Sequence, residues 1–369
     1  MIRKFLNLFR NGVYFDQYLF ISITLLSLMG LVFLFSASQG NIETTIKQSF
    51  FVLFGLILMF AVSQPDPDFY KNNSLLFFLI SVLLVVITLL TGKEINGAKR
   101  WLDLGFFTLQ TSEIIKITLP VFLASYLFDK SLPISFKNTI VSLILIFFIV
   151  NLVRIQPDLG TSLVILIAGL YILFLAGLSW RFIGVSAGLF TLSLPYIWNN
   201  FLEPFQKQRI LTLFDPNSDP YGSGWNITQS KIAIGSGGFF GKGYLKGTQS
   251  YLEFLPEKHT DFIFTLFSEE FGFLGSIILL FLYILLIYRI INVGLVSRSF
   301  FAKLYCFGFA TAIFLYVFVN IAMVLGMLPI VGAPLPIMSY GGSSLLSIML
   351  GLSIVMSCKI YNQEQISVY

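Results

Sequence analysis

Charge is scarce in this chain. Asp, Glu, Lys and Arg make up 11% of its 369 residues, where soluble domains carry about 25%. Histidine occurs once and cysteine twice, at Cys306 and Cys358. Both cysteines lie in apolar runs, so the chain has no disulfide framework, and the thiols read as small packing residues. No Cys/His cluster has the spacing of a zinc site. The net charge is +5, but the basic residues are scattered between apolar runs. Without a basic stripe or a reading helix, nucleic acid is excluded as a partner.

What fills the chain is hydrophobic sequence, 56% of residues. The fold class expected is an all-α polytopic membrane protein, a single transmembrane domain over 1–369. A spanning helix needs about 20 apolar residues, fewer where it is buried. Ten candidates follow: 17–36, 46–63, 74–91, 112–128, 138–154, 161–177, 181–199, 262–290, 303–327 and 343–359. Arg3, Lys4 and Arg10 precede the first run, and Ser36-Ala37-Ser38 looks cleavable. More spans follow it, so an uncleaved signal anchor is expected.

Basic residues set the orientation. With a cytoplasmic N-terminus, the inner segments hold Arg3, Lys4, Arg10, Lys71, Lys130, Lys137, Arg181, Arg289, Arg298, Lys303 and Lys359. The short outer loops hold only Lys47, Lys93, Lys99, Arg100 and Arg154. Both termini are then cytoplasmic, and a large loop of about 199–261, between the seventh and eighth spans, faces outward. Glu94, Asp103, Glu113, Asp158, Glu253, Glu257 and Asp261 all fall at the outer face. Asp261 stands where the polar loop meets the eighth span, and carboxylates at membrane depth are costly and mark functional sites.

Several outer segments have two readings. Ile95–Gly105, with Lys99, Arg100 and Trp101, fits an interfacial anchor or a binding face for a lipid-linked anion. In Gln110-Thr111-Ser112-Glu113-Ile114-Ile115-Lys116, Thr111 or Ser112 can cap the fourth span. Glu113 and Lys116 share a face, either as a structural ion pair or as Lys116 holding a substrate phosphate that Glu113 helps orient. Asp158, in Gln156-Pro157-Asp158, starts the sixth span or joins the site. His259, two residues from Asp261, is a hydrogen-bonding residue or a group titrating near neutral pH. Gln229–Gly243 superficially resembles a phosphate loop, but Ser236 stands where the first glycine belongs and Gly243 where Ser or Thr is required. Its glycines read instead as tight turns and close backbone approach, and Trp225–Lys231 as a helix lying on the bilayer surface. Gly326–Ser344, with three prolines, is expected to be a non-helical, re-entrant element beside the outer site.

Taken in order, Asn96–Trp101, Gln110–Glu113, Gln156–Thr161, Gln229–Gly243, Glu253–Phe264 and Pro329–Ser344 resemble the SEDS family (shape, elongation, division and sporulation) over nearly the whole chain. Leu252–Pro256 and Val331–Pro336 are more similar to its RodA branch than to FtsW. Thr111 replaces the proline of the family's Gln-Pro-Ser-Glu, and only a local change is expected there.

The resemblance implies a peptidoglycan glycosyltransferase. It would polymerise lipid II, an undecaprenyl-diphosphate-linked disaccharide-peptide, on the outer face of the bacterial cytoplasmic (inner) membrane during cell elongation. It also implies that Asp261 is the essential aspartate, and that Glu113 and Lys116 are the fourth-span pair. An inverting transfer needs one carboxylate as general base, the role expected for Asp261. The diphosphate needs cations: Lys116, Lys99 and Arg100, then Arg209 and Lys231. Asp158, His259 and Ser343 complete the expected substrate-binding set. A divalent cation, Mg or Mn, is compatible with a diphosphate; no protein metal site is expected. Expected partners are lipid II, a class B penicillin-binding transpeptidase and other membrane proteins of the elongation complex. Two alternatives stay open. One is a lipid II flippase, for which Glu269 and Glu270, inside the eighth span, are the best argument. The other is a scaffold that only recruits the partner enzyme.

Overall fold

The computed structural model describes residues 15–95, 98–105, 108–220, 222–248 and 259–364. Arg3, Lys4, Arg10, Asn96, Glu253 and Glu257, and with them the Leu252–Pro256 motif, lie outside the described residues.

Nine described helices are long and apolar enough to cross a membrane, and a tenth apolar helix is 17 residues long. In chain order the helices are α1 (Gln17–Ala37), α2 (Ile42–Val62), a short α3 (Pro67–Asn72), α4 (Ser74–Thr91), α5 (Thr111–Phe128), α6 (Phe136–Ile155) and α7 (Leu159–Leu175). Then come α8 (Trp180–Asn200), α9 (Pro204–Phe214), α10 (Ser223–Gly237), α11 (Ile263–Val296), α12 (Phe300–Val324) and α13 (Gly342–Glu364). The shorter α7 is the sixth expected span. It is tolerated because half of it is buried against neighbouring helices; its neighbours are α5, α6 and α12.

Local polar residues set where the apolar runs begin. Asp16 caps α1 through Leu19 N (2.9 Å), Asn41 caps α2 through Glu43 N (2.9 Å), and Asp158 caps α7 through Thr161 N (3.1 Å). Each satisfies an amide that the first helical turn leaves without a partner. The Asn41 cap starts the second span at Ile42 rather than 46, which places Lys47 inside the helix, paired with Glu43 at 2.6 Å. The eighth span runs on to Val296, past the expected 290.

Two connections between spans carry secondary structure of their own. Three short strands, β1 (Lys93–Ile95), β2 (Ala98–Asp103) and β3 (Thr108–Gln110), pair antiparallel in that order. Glu94 opposes Lys99, and Trp101 opposes Gln110. Lys93 bonds Asp103 across the sheet at 2.5 Å. That bond, with the Gly105 amide, holds the Asp103 carboxyl below its usual range. The 199–261 loop carries α9, a 3-10 turn at Pro216–Ser218, and α10, which packs on α11.

Helices α5, α12 and α13 bury most of their residues and form the centre of the bundle. Helix α8 buries none, as expected of a peripheral span whose solvent is lipid. Toward the end of α11 remote from Asp261, Arg289 bonds both carboxylate oxygens of Asp16, at 3.2 and 2.5 Å.

Candidate functional site

The three carbonyls leading into α11 are all tied down. Tyr340 N donates to His259 O (2.9 Å), Ser339 Oγ to Thr260 O (2.7 Å), and Asn320 Nδ2 to Asp261 O (2.8 Å). Asn320 is fully buried in α12 and also donates to Ala333 O (2.7 Å). Ser339 Oγ in turn accepts from Leu335 N (2.8 Å). Residues 326–341 are therefore the non-helical element expected from their prolines and glycines, packed beside the Asp261 turn. They form no helix, and Ala333, Leu335, Ile337 and Met338 are buried. Irregular backbone at such a place must find its partners inside the protein. Tyr283 of α11 supplies one, bonding Pro336 O at 2.5 Å.

The Asp261 carboxylate lies beside Gly332. A Cβ on that glycine would stand 3.3 Å from Asp261 Oδ2, and its φ of +72° already favours glycine. One residue earlier, Val331 O would lie 3.1 Å from a Cβ on Gly160, so the start of α7 abuts the same stretch. Small residues thus let the Asp158 turn, the non-helical element and the Asp261 turn meet.

Cations reach this place from two elements. Arg209, half-buried on α9, has its pKa lowered by burial first and then by the like charge of Arg100, while Asp261 opposes the shift. Arg209 therefore feels both the Arg100 guanidinium and the Asp261 carboxylate. Arg100 on β2 donates through Nε to Gln156 O (2.9 Å) and through a second nitrogen to Pro157 O, which fixes its direction. Lys99, next along β2, is exposed. Lys231 on α10 is exposed and runs past the α12 terminus, its Nζ 2.7 Å from where a Cβ on Gly326 would stand.

A second polar cluster lies between α5, α7, α12 and α13. Glu113 and Lys116 form an ion pair with both side chains buried. Ser347 Oγ donates to Glu113 Oε2 (2.9 Å), and Lys116 Nζ sits 4.4 Å from the Tyr316 ring centroid. Tyr316 continues the chain of contacts to Thr161 Oγ1 (3.2 Å). Asp158, besides capping α7, accepts from Gln110 Nε2 (2.9 Å) and Ser112 Oγ (3.3 Å). Ser343 is buried four residues before Ser347, on the same face of α13.

The expected cap of α5 is corrected. Gln110 occupies the cap position and makes no side-chain cap bond. Ser112 turns to Asp158, and Thr111, fully buried, donates to Thr88 Oγ1 at 3.1 Å. The hydroxyls go to neighbouring helices because those acceptors have no water to compete for them.

The structure therefore puts Arg209 within electrostatic reach of both Asp261 and Arg100, sets the start of α7 beside Val331, and pairs Glu113 with Lys116. Asn320, Ser339, Ser347 and Tyr316 were not singled out by sequence. Asn320 carried the one available signal, as the single amide in the apolar run 300–324.

A family model for FtsW, RodA and SpoVE proteins, described as "Cell cycle protein", matches residues 16–364. Peptidoglycan glycosyltransferase MrdB of Escherichia coli (strain K12) is 44% identical over 349 residues, 95% of this chain and 94% of its own. Peptidoglycan glycosyltransferase RodA of Treponema pallidum (strain Nichols) is 32% identical, over 93% of this chain and 97% of its own. Among solved structures, a chain from a peptidoglycan synthase complex that coordinates polymerization and crosslinking is similar at a TM-score of 0.82 and 31% identity, covering 95% of this chain and 98% of that one. The Rod shape determining protein RodA of Thermus thermophilus is similar at 0.73 and 29%, over 95% and 99%. With a model match across almost its whole length and a 44% identical relative, the chain belongs to the family of FtsW, RodA and SpoVE.

Proposed function

We propose that this chain polymerises lipid II into glycan strands during cell elongation, with Asp261 as the general base. Its relatives are named for the activity, and the chain is a multi-pass membrane peptidoglycan glycosyltransferase, with nine described helices long and apolar enough to span and a shorter tenth. We place it in the bacterial inner membrane with both termini cytoplasmic, on the bias of Lys and Arg between its short loops.

The observation that carries the assignment of Asp261 is the anchored backbone around it. A base must be held within hydrogen-bond reach of the proton it takes, and three bonded carbonyls hold residues 259–261. Asp261 accepts the proton of the acceptor sugar hydroxyl as that oxygen attacks the anomeric carbon of the donor. The bond from that carbon to the lipid diphosphate breaks on the opposite face, with inversion. Base catalysis of this kind is worth typically 10²–10⁴-fold. The departing diphosphate gathers negative charge, and Arg209, which feels both Asp261 and the like charge of Arg100, is the cation best placed to meet it. Holding two guanidiniums near each other costs energy in the free protein, and an anion between them returns it. Lys116, already neutralised by Glu113, serves the architecture of α5; Lys99 and Lys231 are surface cations available to the lipid headgroup region.

Among the described residues, no group of three His, Cys, Asp or Glu side chains could hold a metal ion. A divalent ion would instead be held largely by the substrate's own phosphates with one carboxylate, as is usual for magnesium, and would neutralise charge on the diphosphate.

A class B transpeptidase is the partner we expect, because a similar chain belongs to a complex that couples polymerization to crosslinking. The flippase alternative rested on Glu269 and Glu270, and both of these side chains are engaged by the protein itself. The test is reconstitution of purified protein with lipid II in vesicles. Glycan strands should form; translocation of lipid II without any polymer would contradict the proposal.

A further inference from the structure

Helix α11 is not continuous. Gly272 adopts φ 65° and ψ −160°, which separates an outer piece, residues 263–271, from the long apolar piece beyond. Asp261 lies just ahead of the outer piece. In an unbroken helix the Phe273 and Leu274 amides would bond the carbonyls of Glu269 and Glu270. Here Phe273 N donates to Gly238 O (2.9 Å) and Leu274 N to Phe239 O (3.1 Å). Lys242 N donates to Glu269 O (3.0 Å) and Gly243 N to Glu270 O (2.9 Å). The stretch 238–243 thus splices the break and satisfies the backbone groups it frees. Glycine is required on both sides: a Cβ on Gly272 would overlap Gly241 N, and one on Gly241 would overlap Glu270 O.

The side chains of Glu269 and Glu270, both buried, grip the same stretch. Glu269 Oε1 pairs with Lys242 Nζ (2.7 Å) and accepts from Thr248 N (2.9 Å) and Thr248 Oγ1 (2.7 Å). Glu270 accepts from Leu245 N (3.2 Å) and from Ser36 Oγ of α1 (2.5 Å). Two buried carboxylates are an expensive way to hold a loop. Apolar packing would serve if only cohesion were needed.

We propose that Glu269 and Glu270 are positioning residues for glycosyl transfer. They lock the stretch 238–248 across the Gly272 break, and so fix the angle at which residues 263–271 present Asp261. The proposal rests on the reading of Asp261 as the base. One end of the outer piece is held by Asn320, Ser339 and the Tyr340 amide; the glutamates hold the other. A displacement of about 1 Å at a reacting group costs roughly a hundredfold in rate.

The test uses the purified full chain and lipid II, comparing wild type with Glu269→Gln, Glu270→Gln, Gly247→Ala, Lys242→Arg and Asp261→Asn. Gly247→Ala keeps every charge, yet its Cβ would stand 3.1 and 3.2 Å from Glu270 Oε1 and Glu269 Oε2. The two Gln variants and Gly247→Ala should lose kcat by roughly ten- to a hundredfold. KM and the number of lipid II binding sites per protein should not change, and the solvent deuterium isotope effect on kcat should rise. Lys242→Arg should restore the pair and keep kcat within about twofold of wild type. The proposal is overturned if the Gln variants keep wild-type kcat, or lose activity only in proportion to lost binding sites, while Asp261→Asn abolishes transfer. If Asp261→Asn itself keeps wild-type activity, the assignment of the base fails and takes the positioning role with it.

Discussion

Asn320, fully buried in α12, donates from one amide nitrogen to the carbonyls of both Asp261 and Ala333, at 2.8 and 2.7 Å. A single side chain thereby joins the turn that carries the proposed base to the non-helical element that faces it. Asn320→Leu leaves two carbonyls short of a partner, at about 1–3 kcal/mol for each buried group. Asn320→Asp preserves the shape but offers no donor once ionised. Both variants should lose kcat well beyond any change in KM, with a lower thermal midpoint in detergent. Steady-state polymerisation and unfolding scans on the same preparations check this.

Gly332 should be equally unforgiving for a different reason. Alanine there must adopt a φ of +72° and bring a Cβ to 3.3 Å from the Asp261 carboxylate. Left-handed backbone at a non-glycine residue costs about 1–2 kcal/mol. Gly332→Ala is expected to insert normally and to polymerise at least tenfold more slowly (roughly 1.4 kcal/mol). Rate measurements beside a membrane-insertion control decide it.

The guanidiniums predict a salt-sensitive substrate interaction. Removing Arg209 takes away a cation that interacts with Asp261, so Arg209→Gln should raise KM for lipid II and flatten its dependence on ionic strength. Arg100→Gln should do the same and also destabilise the Gln156–Pro157 turn, whose carbonyls it bonds. Lys99→Ala, at an exposed position, should change KM by less than about fivefold, since exposed charges are worth about 1 kcal/mol or less. KM measured from low to high salt separates the three.

The Glu113–Lys116 pair predicts non-additivity. Breaking a buried ion pair by removing one partner costs about 3–5 kcal/mol, whereas replacing both is often neutral. Glu113→Gln and Lys116→Met should each lower the unfolding midpoint, and the double variant should recover most of it. A lysine that held phosphate would instead leave the double variant stable but with sharply raised KM. A thermal double-mutant cycle alongside lipid II binding distinguishes the outcomes.

Acid should loosen the outer sheet. Lys93 and the Gly105 amide hold the Asp103 carboxyl below its ordinary value, so this group contributes stability above the unfolded-state carboxylate range. That contribution disappears as pH falls through the lower folded-state value. Asp103→Asn should flatten the acid limb of the melting midpoint against pH, lying slightly below wild type near neutrality and converging with it in acid.

The sequence carried the membrane frame because a spanning helix is a local object. Twenty apolar residues in a row state their own fate, and even α7, at 17 residues, is bracketed by Pro157 and Gly177. The Glu113–Lys116 pair was legible for the same reason, being three residues apart on one helix. The three-stranded sheet was not: strands of three and six residues are too short for alternation to register. Helix α9 was hidden by the polarity of the loop that contains it, whereas α10 was legible in part, through Trp225–Lys231. Residues 238–243 read correctly as close backbone approach, but their partner across the break, Gly272, sits some thirty positions on, and spacing cannot reveal such a pairing. Asn320 is the clearest case, since its contact with Asp261 bridges 59 positions. The base candidate could be named from its place at the loop mouth; what holds it still could not.

Asp261→Asn is the most direct measurement. The amide keeps the size of the carboxylate and the backbone bonds around it, but it cannot accept the proton. Purified variant and wild type should bind lipid II with affinities within about twofold, while strand formation by the variant falls by roughly 10²–10⁴-fold. Strand formation at the wild-type rate would contradict the account.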